Sequence, residues 1–198
     1  MIRHLLSFKR RFPWIWSRVE DVNGVLFHFH YRGLGRIATE TLADVVVAGC
    51  RFSLLEEKEL GMLEGLLSRQ GEESLSWFQP HAFDSAALKR LCRNPAFLMM
   101  KVTTPEGEMV GYFFLRCFFI GRAFIGLLVD APFRNRGIGT AMWASCAEIC
   151  NRGGLKMQAT ISTDNKPSMA SCRKGTDSQQ VQALEDHYLV IECKRKIK

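Results

Sequence analysis

Three apolar segments separated by short turns, between residues 96 and 130, constrain the fold more than any other part of this sequence. They read AFLMMKVTT, EMVGYFFLRCFFI and AFIGLLVD, and the turn formers Pro105-Glu106-Gly107 and Gly121-Arg122 lie between them. Apolar, aromatic and β-branched residues in runs of this length predict β-strands, and turns this short join neighbouring strands antiparallel. The sequence therefore predicts a three-stranded antiparallel meander at the centre of the fold.

Strand and helix patterns surround this meander on both sides. Before it, DVVVAGCRFSLL predicts one strand, EEKELGMLEGLLSRQ a helix, GEESLSWFQPHAF a loop, and SAALKRLCR a short helix with Asp84 as its N-cap. After it, the pattern predicts a helix from Gly137 to about Asn151, a strand over LKMQATIS, a short helix capped by Asp164 or Asn165, and a final hairpin. This order predicts an α+β domain with a mixed, mostly antiparallel central sheet flanked by helices.

The length and the charge of the chain limit its possible domain organisation and its possible binding partners. The 198 residues suit one domain, which we place at residues 46–198, behind a basic and aromatic N-terminal appendage at residues 1–45. The formal net charge of +7 favours anionic partners. No recognised nucleic-acid motif accompanies that charge, so we expect no nucleic-acid partner, and the oligomeric state stays open.

The seven cysteines indicate a reducing compartment. Their number is odd and no C-x-x-C spacing occurs, so we expect reduced, mostly buried thiols in a cytoplasmic protein. Cys146 and Cys150 are four residues apart on a predicted helix, and His28 and His30 lie on a strand-like run where they would share a face. Either pair has a spacing that a metal could use, but ordinary core or surface placement is the simpler interpretation, and we predict no metal site.

The N-terminal appendage has two interpretations. Its apolar residues, among them Leu5, Phe8, Trp14 and Trp16, are interrupted by too many charges for a secretory signal. This composition suits a helix at the surface of an anionic membrane, which would make the protein membrane-peripheral. The alternative is a segment that packs its aromatic side chains onto the main domain. No apolar run approaches the roughly 20 residues that span a bilayer.

The segment FRNRGIGTA, residues 133–141, lies where the last strand of the meander gives way to a helix. Its glycines let the backbone approach a ligand closely. The free amides of a helix's first turn form a site for anions, and Arg134 and Arg136 add charge-assisted donors. This pattern predicts a pyrophosphate site.

A second glycine pair offers a rival phosphate site. YRGLGRIA follows the strand-like VLFHFHY and fits the dinucleotide-binding pattern G-x-G-x-x-A through Gly33, Gly35 and Ala38. An acidic residue is expected roughly 20 residues later, but residues 51–53 stand there and none is acidic. A flexible connection between the appendage and the domain is therefore the preferred interpretation.

The longer segment GLLVDAPFRNRGIGTAM fits R-x-x-G-x-G through Arg134, Gly137 and Gly139. It resembles the acetyl-CoA-binding motif of the GNAT acetyltransferase superfamily, and the predicted element order over residues 46–198 is similar to that fold. The basic aromatic N-terminus and GYFFLRCFF are similar to members associated with bacterial surface-polysaccharide synthesis. The resemblance implies an acetyl-CoA-dependent N-acetyltransferase that acts on a small-molecule amine by direct transfer in a ternary complex. An amino sugar, nucleotide- or lipid-linked, is the first expected acceptor.

The resemblance also implies where acetyl-CoA would bind. The strand that ends at Leu128 and Val129 would be splayed from its neighbour and would pair with the pantetheine arm. The Val129 amide would polarise the thioester carbonyl. Asn165, after the next strand, would contact the same co-substrate. The residues expected to hold the pyrophosphate are Arg134, Asn135, Arg136, Gly137, Ile138, Gly139 and Thr140.

Few residues are candidates for proton transfer in the reaction. Cys172 falls where many relatives carry a tyrosine that protonates the departing CoA thiolate, and a thiol with an ordinary pKa near 8.5 is able to donate a proton. Structural packing of Cys172 is the alternative. His81, Asp130 and Asp164 are the polar residues expected near the strand ends, and hence the candidate general bases. The missing tyrosine leaves a non-catalytic acyl-CoA-binding module open, and a protein or polyamine amine is an alternative acceptor.

Overall fold

The computed structural model describes residues 13–184 and 187–196, and within these ranges eight strands form one sheet. The strand order is β1-β2-β3-β4-β5-β6-β8-β7, and every neighbouring pair is antiparallel except β5 and β6. The strands are β1 (Val46–Val47), β2 (Cys50–Leu54), β3 (Phe97–Thr103), β4 (Met109–Phe118), β5 (Arg122–Val129), β6 (Lys156–Ser162), β7 (Thr176–Ala183) and β8 (Tyr188–Arg195).

Helices cover the sheet from both sides. The predicted α+β architecture, with a mostly antiparallel sheet, is confirmed, and so is the meander of β3, β4 and β5. Short 3₁₀ turns lie at Glu57–Glu59, before α3, and at Ala131–Phe133, after β5. The helices are α1 (Pro13–His30), α2 (Leu34–Ala43), α3 (Leu60–Ser68), α4 (Glu72–Ser76), α5 (Ser85–Arg93), α6 (Ile138–Arg152) and α7 (Lys166–Gly175).

Alternation along β4 divides the interior into two cores. Phe113 and Leu115 point to a core that includes buried residues of α2 and α6. Tyr112 and Phe114 point to the opposite core, which α3 and α5 fill with leucines such as Leu63 and Leu88. A central strand with both faces buried reads as a continuous apolar run, which is why GYFFLRCFF lacks the usual polar alternation.

Part of the N-terminal region contributes to the first of these cores. Phe27 in α1 and Leu34, Ala38 and Leu42 in α2 are each at most 3% exposed and pack in the same cluster as the sheet. The aromatic residues before residue 13 lie outside the described residues. The domain boundary at residue 45 stays a prediction.

Three local predictions were wrong. VLFHFHY forms the end of α1 rather than a strand, because burial of Phe27 and the contacts of Asn23 with β4 favour a helix docked on the domain. DVVVAGCRFSLL forms a two-strand hairpin, because Ala48 and Gly49 adopt φ values of 52° and 78°, which suit a two-residue turn. The predicted loop GEESLSWFQPHAF contains helix α4.

The correction at α1 also removes the rival glycine motif. A dinucleotide-binding motif needs a strand before its glycines, whereas Gly33 and Gly35 follow α1 and open α2. His28 and His30, two residues apart on a helix, do not share a face as they would on a strand. Cys146 and Cys150 are buried in the core.

Candidate active site

A wedge-shaped opening between β5 and β6 is the main feature of the central sheet. These two parallel strands pair only at their first residues, from Arg122 opposite Lys156 to Phe124 opposite Gln158. Beyond these pairs β5 stays on β4 and β6 stays on β8. The two strands therefore separate toward Val129 and Ser162.

The hydrogen-bond pattern shows which backbone groups of β5 face this wedge. The Asp130 amide donates to the Val110 carbonyl at 2.9 Å, so the amides of even-numbered residues, Leu128 included, point toward β4. The amides of Leu127 and Val129 then point toward the wedge. The Leu128 side chain is 5% exposed and packs in the second core, so it supports the strand and does not line the wedge.

The loop after β5 delivers an uncapped helix N-terminus. Asn135 and Gly137 adopt positive φ values of 61° and 85°, and no side chain caps α6 at Gly137. The first bond of the helix runs from the Ala141 amide to the Gly137 carbonyl at 3.0 Å. The amides of Ile138, Gly139 and Thr140 precede that bond, and a helix start of this kind binds anions.

Two arginines flank this helix start. The exposed Arg134 donates from Nε to the Val129 carbonyl at 3.1 Å and from Nη2 to Ser74 Oγ at 2.8 Å. The Arg136 guanidinium lies 5.0 Å from the centre of the Phe133 ring. Both cations therefore lie beside the loop, and Arg134 connects it to the end of β5 and to α4.

Glycines let α6 come close to its neighbours. A Cβ atom added at Gly139 would lie 3.8 Å from Ser171 Cβ in α7 and 3.9 Å from Val129 Cγ2, so the helix start and the wedge form one continuous site. A Cβ atom at Gly175 would overlap the Thr140 carbonyl, so this glycine permits α6 and α7 to pack. Gly175 also ends helix α7.

Asn165 begins α7 after β6, as predicted for one of the two candidate caps. Its Oδ1 accepts a hydrogen bond from the Ser168 amide at 3.1 Å. The side-chain oxygen is thus used as an N-cap, which leaves the amide nitrogen as the group able to reach a ligand. Ile138, at 1% exposure, anchors the helix start in the core and offers only its backbone amide.

Asp130 has structural partners that are distant in the sequence and could not be predicted from it. Its Oδ2 accepts from Arg69 Nε at 2.6 Å, and its Oδ1 accepts from Gln70 Nε2 at 2.8 Å and from the Ala131 amide at 3.0 Å. Burial opposes ionisation of Asp130, but the hydrogen bonds from Arg69 and Gln70 outweigh it and lower the pKa. These contacts favour a structural carboxylate over a general base. That assignment stays a prediction.

His81 lies in an aromatic pocket beside β4. Its Nδ1 is 2.8 Å from the Ala82 carbonyl, which only accepts, so Nδ1 carries the proton and Nε2 accepts from the Tyr112 hydroxyl at 3.2 Å. Burial lowers the pKa of His81, which favours the neutral ring. A side chain at Gly126 would overlap the Phe114 ring, so Phe114 lies between β5 and His81. His81 therefore stays a candidate base that the described geometry does not bring to the wedge.

Cys172 is fully buried. Its Sγ lies 3.7 Å from Cys193 Sγ and 3.6 Å from Thr176 Oγ1. The hydrogen bond with Cys193 lowers the pKa of Cys172 and raises that of Cys193. The thiol faces the core and not the wedge, which favours the packing interpretation over proton donation to CoA.

Asp164 is the remaining candidate general base. It is exposed and lies in the turn after β6.

A polar face beside the wedge was missed by sequence reasoning. Register pairs Gln158 of β6 with Glu192 of β8, and Glu192 with Gln179 of β7, so these side chains share one face. Thr160 follows on the same side of β6. The opposite side of β6 and β8 is buried against α6 and α7. The alternation of polar and apolar residues in LKMQATIS indicates a polar face, but only the register shows that these residues are neighbours.

We expect His81 to make stability depend on pH. Because burial lowers its folded pKa, the unfolded chain binds a proton more readily, and stability present above about pH 6.5 is lost as the pH falls through the folded pKa. The slope is at most about 1.4 kcal/mol per pH unit. Urea denaturation at pH 7.5 and pH 5.5 measures it. His81→Asn should weaken the loss and His28→Asn, on exposed helix surface, should not. An equal loss in His81→Asn would contradict this account.

The chain belongs to the GNAT acetyltransferase family, since the family's model matches residues 62–175, more than half of the 198 residues. The protein is accordingly an acetyltransferase with acetyl-CoA as its co-substrate. The free amides and flanking arginines at the start of α6 suit the pyrophosphate of that co-substrate. No curated protein matches the chain significantly in sequence.

Solved structures share this fold at low sequence identity. The GNAT domain of S. lividans PAT is 16% identical, with a TM-score of 0.67 over 77% of this chain and 96% of that chain. An aminoglycoside acetyltransferase in complex with coenzyme A and kanamycin is 18% identical, with a TM-score of 0.57 over 74% and 95%. The ribosomal-protein-S5-alanine acetyltransferase from Vibrio fischeri is 11% identical, with a TM-score of 0.60 over 76% and 95%.

Among residues 13–184 and 187–196, no helix has the length and apolar character needed to cross a membrane.

Proposed function

We propose that this protein transfers the acetyl group of acetyl-CoA to the primary amine of an amino sugar. The observation that carries the proposal is the wedge between β5 and β6, which adjoins an uncapped helix start and a polar sheet face. A donor and an acceptor can then meet at the wedge from opposite sides of the sheet.

The donor half of the site follows from the backbone. The pyrophosphate of acetyl-CoA binds the amides of Ile138, Gly139 and Thr140, with Arg134 and Arg136 as cationic neighbours. The pantetheine arm runs along β5, where Leu127 and Val129 offer groups that β4 does not use. The Val129 amide donates to the thioester oxygen as negative charge develops on it.

Transfer itself is a direct attack. The neutral amine forms a C–N bond with the thioester carbonyl carbon, the C–S bond breaks, and CoA leaves as a thiolate. The ammonium proton passes to water in the wedge, because His81, Asp130 and Cys172 each have other partners. Solvent also supplies the proton for the thiolate.

The polar face supports a sugar as the acceptor. Gln158, Gln179 and Thr160 offer donors and acceptors that match hydroxyl groups, and Glu192 offers a carboxylate that suits an amine or a hydroxyl. The similar aminoglycoside acetyltransferase binds kanamycin, which supports the same acceptor class. The Vibrio fischeri enzyme, named for a ribosomal protein, makes a peptide amine the second candidate.

Release of CoA thiol with a panel of amines tests the acceptor. The panel holds a free amino sugar, a nucleotide-linked amino sugar, a polyamine and a peptide with a free N-terminus. We expect the highest kcat/KM with an amino sugar. Glu192→Gln should raise KM for it about tenfold, whereas Glu148→Gln, a similar change on α6, should not. Preference for the peptide, or acetyl-CoA binding without turnover of any amine, would contradict the proposal.

A further inference from the structure

Helix α1 docks on the domain through one side and carries an apolar stripe on another. On the docked side, Phe27 is 1% exposed, and Asn23 bonds to the Cys117 carbonyl and the Phe119 amide at 3.0 Å each. A spacing of three, four and three residues aligns the stripe along the helix. Its members, Val19, Val22, Leu26 and Phe29, are 51%, 58%, 43% and 63% exposed.

The turn between β4 and β5 extends this stripe. Phe119 and Ile120 at its tip are 48% and 63% exposed, and the bond from the Phe119 amide to Asn23 holds the turn beside α1. An apolar cavity of about 380 Å³ lies between the helix and this end of the sheet. We call the stripe and the turn together the α1 surface.

The concentration of apolar side chains at this place is unusual for the molecule. Of the ten large apolar side chains that are exposed among the described residues, seven lie on α1 or on this turn. The others, Val46, Trp77 and Val181, are scattered singly. Contiguous apolar surface of this kind marks an interaction site.

Charge indicates what the α1 surface contacts. Residues 1–36 contain seven basic and two acidic residues, so this region carries five of the seven net positive charges. One of the acids, Glu20, forms an ion pair with Arg116. The Arg32 guanidinium lies 5.2 Å from the centre of the Phe29 ring, which places a cation at the end of the stripe. A second copy would bring the same positive charge, whereas an anionic surface attracts it.

We propose that the α1 surface docks on an anionic lipid bilayer. The apolar stripe and the turn enter the interface, and the described basic residues Arg18 and Arg32 contact the lipid phosphates. The turn begins β5 and Val129 ends it, so the bilayer and the wedge lie at opposite ends of this strand. Docking therefore leaves the donor site open.

Co-sedimentation with vesicles tests this proposal. Vesicles of phosphatidylcholine alone are compared with vesicles that also contain phosphatidylglycerol, using the full chain at low and high salt. We expect binding only to the anionic vesicles, and weaker binding at high salt. The double substitution Val22→Asp and Leu26→Asp should weaken binding at least about tenfold. Val181→Asp, at an exposed position on β7, should not change it.

Other outcomes would overturn the proposal. All variants must keep the rise in melting temperature that acetyl-CoA causes, which shows that they are folded. Absence of vesicle binding at low salt would refute docking. Equal binding of the double variant would show that basic residues act without the stripe. A dimer that the double variant abolishes, with no vesicle binding, would make the α1 surface a contact between copies.

Discussion

Gly139→Glu should weaken acetyl-CoA binding strongly while leaving the fold intact. The new carboxylate would stand at the first-turn amides of α6 and satisfy them, so the pyrophosphate would lose its donors and meet a negative charge. The side chain would also extend between Val129 and Ser171, where an added Cβ has only ordinary contacts. We expect the Kd for acetyl-CoA to rise at least about 100-fold, roughly 2.7 kcal/mol, by isothermal titration calorimetry.

Gly139→Ala is the matched control. Its Cβ makes the same ordinary contacts and adds neither charge nor reach, and Gly139 does not need a positive φ value. Binding should therefore stay within a few-fold of the wild type. If Gly139→Glu bound acetyl-CoA as tightly as Gly139→Ala, the start of α6 would not be the pyrophosphate site.

Asp130→Ala should cost about 3 kcal/mol of folding free energy. It removes a buried carboxylate that joins the end of β5 to Arg69 and Gln70, just after α3. Among the described residues, Arg69 then keeps only Glu108 as an anionic partner, and Gln70 Nε2 keeps only the Leu66 carbonyl. The end of β5 carries Val129, so acetyl-CoA binding should weaken as well. Urea denaturation gives the first effect and calorimetry the second.

The contribution of the Asp130 carboxylate to folding stability depends on pH in a defined range. Its pKa is lowered in the folded state, so its contribution is complete above the ordinary pKa near 3.9 and is lost as the pH falls through the lowered value. Asp130→Asn should remove this part of the acid sensitivity.

The matched control for Asp130→Ala is Glu57→Ala. This substitution breaks an exposed ion pair with Arg93 and should change stability little. A similar cost for both alanine variants would contradict a special role for Asp130.

Local patterns predicted most elements of the fold. The meander, the Asp84 cap and the helix after Gly137 each depend on residues close together in sequence, where periodicity and turn chemistry are informative. The strand prediction for VLFHFHY was wrong because its alternation is that of a strand, whereas the helix that contains it is held on β4 by Asn23, whose partner Cys117 lies 94 positions later. Tertiary contacts therefore determined the secondary structure of this segment.

The candidate site likewise has one part that local sequence predicted and one part that it did not. The donor half is contiguous, from Leu128 to Thr140, so its sequence alone predicted strand, loop and helix start. The polar face depends on Gln158, Glu192 and Gln179, which only strand register brings together. The partners of Asp130 come from 60 and 61 residues away. No spacing in the sequence predicts such contacts.

Thermal unfolding with two ligands tests the central claim most directly. We expect acetyl-CoA to raise the melting temperature of the wild-type protein, because a ligand that binds only the folded state stabilises it by mass action. NADPH at the same concentration should give no comparable rise. Stabilisation by NADPH without stabilisation by acetyl-CoA would contradict this prediction, since it would show that the folded protein does not bind acetyl-CoA.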